Sequence, residues 1–154
     1  MTASPSGALR MYLSADAAAT EAIGARLAEE LPADSILLLE GELGSGKTCL
    51  VRGLARALGV DPREVQSPTY TLMHEHTGTR GPLVHADLYR LAPEELDAIG
   101  LEEALAGPGW KAIEWPDRLA MLPVGAYRIM LREVADGRRE IRVEGPNSES
   151  SSVG

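Results

Sequence analysis

The stretch SILLLEGELGSGKTCLVRGLARALG, residues 35–59, limits what this chain can fold into more than any other segment. It opens with a short continuous apolar run, residues 35–40, of the kind that forms a strand buried on both faces of a helix-covered sheet. It closes on a helical pattern in which Leu50, Leu54 and Leu58 share one face and Gly59 stands where a helix C-terminus favours glycine. Between them, Gly41 to Thr48 has the full Gly-x-x-x-x-Gly-Lys-Thr spacing of a phosphate-binding loop. Each part has a physical reason. Glycines let successive backbone N–H groups turn inward as an anion nest. The following helix adds its positive N-terminal end. Lys47 brings a mobile charge to the outer phosphates, and Thr48 a hydroxyl suited to Mg2+. A strand–loop–helix unit of this type belongs in an α/β fold of the P-loop NTPase type. The expected sheet is central and mostly parallel, with antiparallel hairpins attached and helices on both faces.

The rest of the chain supplies the other elements. Residues 14–32 read as a helix with Ser14 as N-cap, Asp16 in the first turn, an apolar stripe of Ala19, Ile23, Leu27 and Leu31, and Pro32 as its stop. TYTLMHEH and LVHADL flank the turn residues TGTRGP and predict an antiparallel hairpin. Residues 93–105 read as one helix with Pro93 in its first turn. WKAIEWP predicts a strand stopped by Pro116. In AYRIMLREVADGRREIRVEG, Tyr127, Ile129 and Leu131 alternate with Arg128, Met130 and Arg132, and DG marks the turn of a second hairpin. A chain of 154 residues fits one domain, placed at 10–145, with loose ends at 1–9 and 146–154 on composition.

A P-loop enzyme needs a second carboxylate for magnesium at the end of a neighbouring strand. Asp87 in LVHADL is that candidate. Leu88 follows it, where many ATPases carry a water-activating Glu. Glu114 is the substitute, expected at the end of its own strand, where an open α/β sheet carries ligand. Trp115 beside it reads equally as core, lid or partner contact. In SPTYTL, residues 67–72, Pro68 restrains a segment in which Thr69 and Thr71 offer hydroxyls. That is the position of a γ-phosphate-sensing loop, and strand entry is an equal reading. His74, His76 and His85 lie on the first hairpin without a fourth ligand at a recognisable spacing, which argues against zinc.

Composition narrows the function. The net charge is −8, and the only lysines are Lys47 and Lys111. A protein that grips nucleic acid by itself needs cations to replace phosphate counterions. Cys49 is the only cysteine, so no intrachain disulfide forms. The first residues lack the basic-then-apolar pattern of a secretory signal, and no run approaches the roughly 20 apolar residues of a membrane span. These features fit a cytoplasmic protein. No NKxD-like guanine-reading motif is present, which argues against a GTPase. No Arg-rich lid segment and little room for a substrate insert argue against a small-molecule kinase. What remains is an ATP site with switch-like surroundings and no evident second substrate, which favours energy transfer to another protein.

GELGSGKT, SPTYTL, HADLYRL and IEWPDR, in that order, resemble the TsaE (YjeE) family, bacterial ATPases needed to make threonylcarbamoyladenosine in tRNA. The resemblance runs from about residue 12 to 144. It implies a P-loop α/β fold that binds ATP with Mg2+. It also implies work with a TsaB–TsaD pair, in which TsaD transfers the threonylcarbamoyl group from a donor made by TsaC to the adenosine next to the anticodon. The family's ATPase is weak alone and responds to that complex. Carried onto this chain, the resemblance assigns the phosphates to Leu43, Gly44, Ser45, Gly46, Lys47 and Thr48. Mg2+ falls to Thr48 and Glu114, and the Walker B position to Asp87. Lys47, Asp87 and Glu114 are thus the expected catalytic set, and Asp87 also counts among the metal candidates. Trp115 completes a Glu-Trp-Pro element, and Gly137 with Arg138 approaches the nucleotide on a looser match. tRNA enters only indirectly and no membrane is involved. A non-catalytic nucleotide-dependent assembly factor and a small-molecule kinase are the alternative readings.

Overall fold

The computed structural model describes residues 9–66, 73–95, 100–119, 121–147 and 151–152. Nine strands and three α-helices are defined among them: β1 (Leu9–Ser14), α1 (Ala17–Glu30), β2 (Ile36–Glu40), α2 (Lys47–Ala57), β3 (Met73–Gly78), β4 (Gly81–Asp87), α3 (Leu101–Ala106), β5 (Trp110–Glu114), β6 (Met121–Leu122), β7 (Tyr127–Glu133), β8 (Arg139–Glu144) and β9 (Ser151–Ser152). Seven strands form one sheet in the order β1-β8-β7-β2-β5-β4-β3. The four central strands, β7, β2, β5 and β4, run parallel. Antiparallel partners extend the sheet on both sides, β8 and β1 at one edge and β3 at the other. This is the expected α/β architecture of P-loop NTPase type.

Strand β2 lies at the centre because its residues can be buried on both faces. Leu37 and Leu39 pack with α1 and α2 through Ile23, Leu27, Leu50 and Leu54. Leu38 turns the other way and packs with Ile113, Leu101 and Leu119. Alternation by two along the strand thus feeds two separate apolar layers. Tyr127, Ile129 and Leu131 are buried on one face of β7, as the alternation predicts. Gly59, at φ +84°, follows α2 and donates its N–H to Arg56 O, which is the C-terminal turn expected of it.

Several local expectations change. The N-cap of α1 is Asp16, whose carboxylate accepts the Ala19 N–H at 2.8 Å, and not Ser14. Ser14 instead ends β1 and bonds Asp16 O and Thr20 Oγ1 with its hydroxyl. Strand β1 itself has no counterpart in the sequence reading. Its outward side chains are Leu9, Met11 and Leu13, while the polar Arg10 and Tyr12 engage Glu30 of α1, so its pattern inverts the usual rule for a half-buried strand. The single helix expected over 93–105 is interrupted. A 3-10 turn spans Pro93–Glu95, and α3 begins after Gly100, whose φ of +75° is incompatible with a continuous helix. At the other end, Gly125 N–H donates to Asn147 O and Asn147 N–H to Ala126 O, and β9 pairs with β6. Backbone groups make these contacts, so the Ser-rich composition of the tail carries no sign of them. No helix among the described residues is long and apolar enough to cross a membrane.

Candidate functional site

Parallel strands place their C-terminal ends on one side of the sheet, and the site forms there. From β2 the chain turns through residues 41–46 into α2. Three backbone positions require glycine: Gly41 at φ +156°, where an added Cβ would stand 2.6 Å from Leu131 O, Gly44 at φ +78° and Gly46 at φ +104°. At Gly46 an added Cβ would also stand 3.2 Å from Cδ and Nε of Arg139. Helix α2 starts at Lys47 with no side-chain cap on its first N–H groups. The Ser45 hydroxyl is buried without a hydrogen-bond partner among the described residues. An uncapped helix end and an orphaned buried donor, wrapped by a glycine turn, fit an anion such as a phosphate.

Lys47 is buried, 5% exposed. Its ammonium donates to Gly41 O at 2.5 Å and lies 3.7 Å from the centre of the Trp115 ring. Burial holds its pKa below that of an ordinary lysine, and the carboxylates of Glu114, Asp87, Asp117 and Glu42 work in the opposite direction. The charge is therefore held back inside the loop, with a carbonyl and an aromatic face in place of water.

Glu114, at the end of β5, is 2% exposed. Its Oε2 accepts the Thr48 hydroxyl at 3.1 Å and lies 2.5 Å from Nε2 of His85. Asp87 ends β4 and is in register with Glu114 on the adjacent strand, so both carboxylates lie on the same face. Asp87 Oδ1 accepts the Tyr89 N–H at 3.0 Å. A threonine hydroxyl and two carboxylates at strand ends are hard oxygen donors of the kind that could hold Mg2+.

Trp115 turns the chain out of β5 with φ +61° and ψ +55°, a left-handed conformation that is rare for a bulky residue. Such strain persists only where the surroundings enforce it. Here Lys47 stands over the ring, and the Tyr89 ring packs against it at 4.7 Å and 45°. Arg118 fixes the Tyr89 carbonyl at 3.0 Å. In front lies a cleft of about 560 Å³, bounded by Gly41, Leu43, Tyr89 and Trp115 with the acidic Glu42 and Asp117.

The structure thus brings together Lys47, Thr48, Asp87, Glu114 and Trp115 around the loop of Leu43, Gly44, Ser45 and Gly46. Gly137 sits in the β7–β8 turn with no heavy atom within 4 Å of where a Cβ would stand. Arg138 lies 3.9 Å from Asp136 in the same turn. The residue that reaches the loop from this hairpin is Arg139, which donates to Gly44 O at 3.3 Å. Pro68, Thr69 and Thr71 lie outside the described residues. His74 and His76 meet edge to face at 6.1 Å. Sequence reasoning passed over Arg139, Tyr89 and the contact of His85 with Glu114. The signal for His85 was its place two residues before Asp87, which puts both on one face of β4.

Comparison with known proteins follows the same outline. The model of the family described as "Threonylcarbamoyl adenosine biosynthesis protein TsaE" matches residues 14–141. Curated relatives named "tRNA threonylcarbamoyladenosine biosynthesis protein TsaE" include one from Nostoc, 41% identical over 133 residues, covering 84% of this chain and 82% of the relative. Another, from Treponema pallidum, is 47% identical over 120 residues, covering 77% and 85% respectively. Among solved structures, the crystal structure of Bacillus subtilis YdiB superposes with a TM-score of 0.67 at 26% identity, over 98% of this chain and 90% of that one.

Proposed function

This chain belongs to the TsaE family of tRNA threonylcarbamoyladenosine biosynthesis, and from that premise we propose that it is a Mg2+-dependent ATPase acting on a TsaB–TsaD transferase complex. The observation that carries the reading is the set of Lys47, Thr48 and Glu114 at the open end of an uncapped α2, inside a glycine-turned loop. The backbone N–H groups of the loop and helix bind and orient a triphosphate. Lys47 moves from the Gly41 carbonyl toward the outer phosphates, where its charge is most useful. Mg2+, when bound with ATP, neutralises charge that develops on the phosphate oxygens. Thr48 and Glu114 are the side chains to hold it, with Asp87 alongside. Trp115, backed by the Tyr89 ring, shields Lys47 from water and keeps its field strong.

Leu88 follows Asp87, so no second carboxylate stands next in the chain to orient an attacking water. This supports slow turnover by the chain alone and stimulation by its partner. The deciding experiment is phosphate release from ATP with and without TsaB–TsaD, run beside tRNA modification with ATP or a non-hydrolysable analogue. The reading expects stimulation by the complex and loss of multiple-turnover modification with the analogue. Sustained modification with the analogue would instead make the protein an assembly factor for which binding suffices.

A further inference from the structure

We propose that His85 is a positioning residue that holds the Glu114 carboxylate for the metal–nucleotide site. The inference rests on the reading of Glu114 as a magnesium ligand. His85 lies inside β4, between β3 and β5 in the sheet, opposite Ala112 and His74, and has no solvent exposure. Its Nε2 is 2.5 Å from Glu114 Oε2, the same oxygen that accepts the Thr48 hydroxyl. Nδ1 is buried without a hydrogen-bond partner among the described residues. The one partner of the ring among the described residues is a carboxylate oxygen, so the hydrogen-bond network assigns the ring proton to Nε2, donating to Glu114.

A histidine kept only for packing is a poor choice at this position. Burying an imidazole costs free energy unless its polar atoms are bonded, and a leucine would fill comparable space without leaving a nitrogen unpartnered. The single bond that the ring does make goes to the carboxylate facing Thr48. Two donors on Oε2, one from β4 and one from α2, fix the rotamer of a long side chain that could otherwise swing. Among the described residues both contacts fall on Oε2, which leaves Oε1 for a ligand. Carboxylates that bind metals are commonly held in this way by outer hydrogen-bond donors, and losing such a donor costs about 10–100-fold in metal affinity.

The test compares His85→Leu, which keeps volume but removes the N–H, with His85→Gln, whose amide nitrogen can reach the place of Nε2. Binding of a fluorescent ADP is measured in EDTA and across a Mg2+ titration. Parental protein should bind ADP more tightly with Mg2+. In His85→Leu the Mg2+ concentration for half-maximal enhancement should rise about tenfold or more, with affinity in EDTA unchanged. His85→Gln should restore most of the loss. An unchanged Mg2+ midpoint in folded His85→Leu overturns the proposal, as does a His85→Gln protein as defective as His85→Leu. Should His85→Leu fail to fold, His85→Asn takes its place, since its amide is too short to reach Oε2. An Asn variant equal to the Gln variant then refutes the positioning role. Parental protein whose ADP affinity ignores Mg2+ refutes the magnesium reading itself, and the inference with it.

Discussion

Lys47 holds the Gly41 carbonyl and the Trp115 ring while Glu114 holds the Thr48 hydroxyl, and their removal should fail in different ways. Lys47→Ala deletes the buried cation aimed at the outer phosphates. It should abolish hydrolysis and tRNA modification while circular dichroism keeps its parental shape. Glu114→Ala leaves the loop and its N–H groups in place, so nucleotide affinity should fall less. Its turnover should drop more than about tenfold, on the order of 1.4 kcal/mol of transition-state stabilisation. Single-turnover rates with and without TsaB–TsaD measure this. A folded Lys47→Ala protein with normal turnover would defeat the phosphate-loop assignment, and a parental rate in Glu114→Ala would reduce that residue to a strand-end charge. The identity of these residues was legible in the sequence because the loop motif is contiguous and Glu114 follows an apolar strand. Their partners were not: Thr48 and Glu114 are 66 residues apart, and no local pattern announces a shared oxygen with His85.

Helices α1 and α2 approach so closely that two glycines decide whether they can. A Cβ on Gly24 would stand 2.1 Å from Leu50 O, and one on Gly53 would stand 1.8 Å from Glu21 O. Both obstacles are backbone, so neither can be relieved by a rotamer change, and one helix must move. In an isolated helix Gly→Ala gains up to about 1 kcal/mol. Here overpacking, typically about 1–3 kcal/mol, should outweigh that gain. Gly53→Ala is therefore expected to lower Tm by several degrees in a chain of this size. Gly107→Ala is the control, because its φ is −83° and its nearest contact would be 3.5 Å away. Because α2 carries Lys47 and Thr48 in its first turn, Gly53→Ala should also weaken nucleotide binding, which calorimetric titration would reveal. Equal melting of Gly53→Ala and the parental protein would show that the helices separate without cost.

At the scale of the whole molecule, charge sets what the surface can hold. The chain carries −8, and both of its lysines are buried, Lys47 at the loop and Lys111 on the Gly107 carbonyl. Several arginines are paired with carboxylates, among them Arg128 with Glu40, Arg80 with Glu29 and Arg26 with Glu30. Binding to tRNA by counterion release therefore has little to draw on. The chain alone should fail to retain tRNA in a gel-shift assay even at low salt. A tight complex that weakens steeply as salt rises would contradict this and would place the tRNA contact on this protein rather than its partners.

What the sequence alone determined is whatever adjacency in the chain controls. A buried strand, a glycine turn and a helix in succession specify a phosphate loop, and alternation with turn residues specifies the two hairpins. The continuous apolar run of β2, which needs cover on both faces, specifies a mostly parallel central sheet. Tertiary structure alone decided which distant groups meet. The order β8-β7-β2-β5-β4 and its register bring Asp87 beside Glu114, His85 behind it and Arg139 to Gly44. It also decided that β1 joins the edge with Leu9, Met11 and Leu13 turned outward, and that Gly100 breaks the helix expected across it. Periodicity reports the face on which a side chain lies. It cannot report which strand lies alongside, because that choice is made by long-range packing of faces that are individually equally apolar.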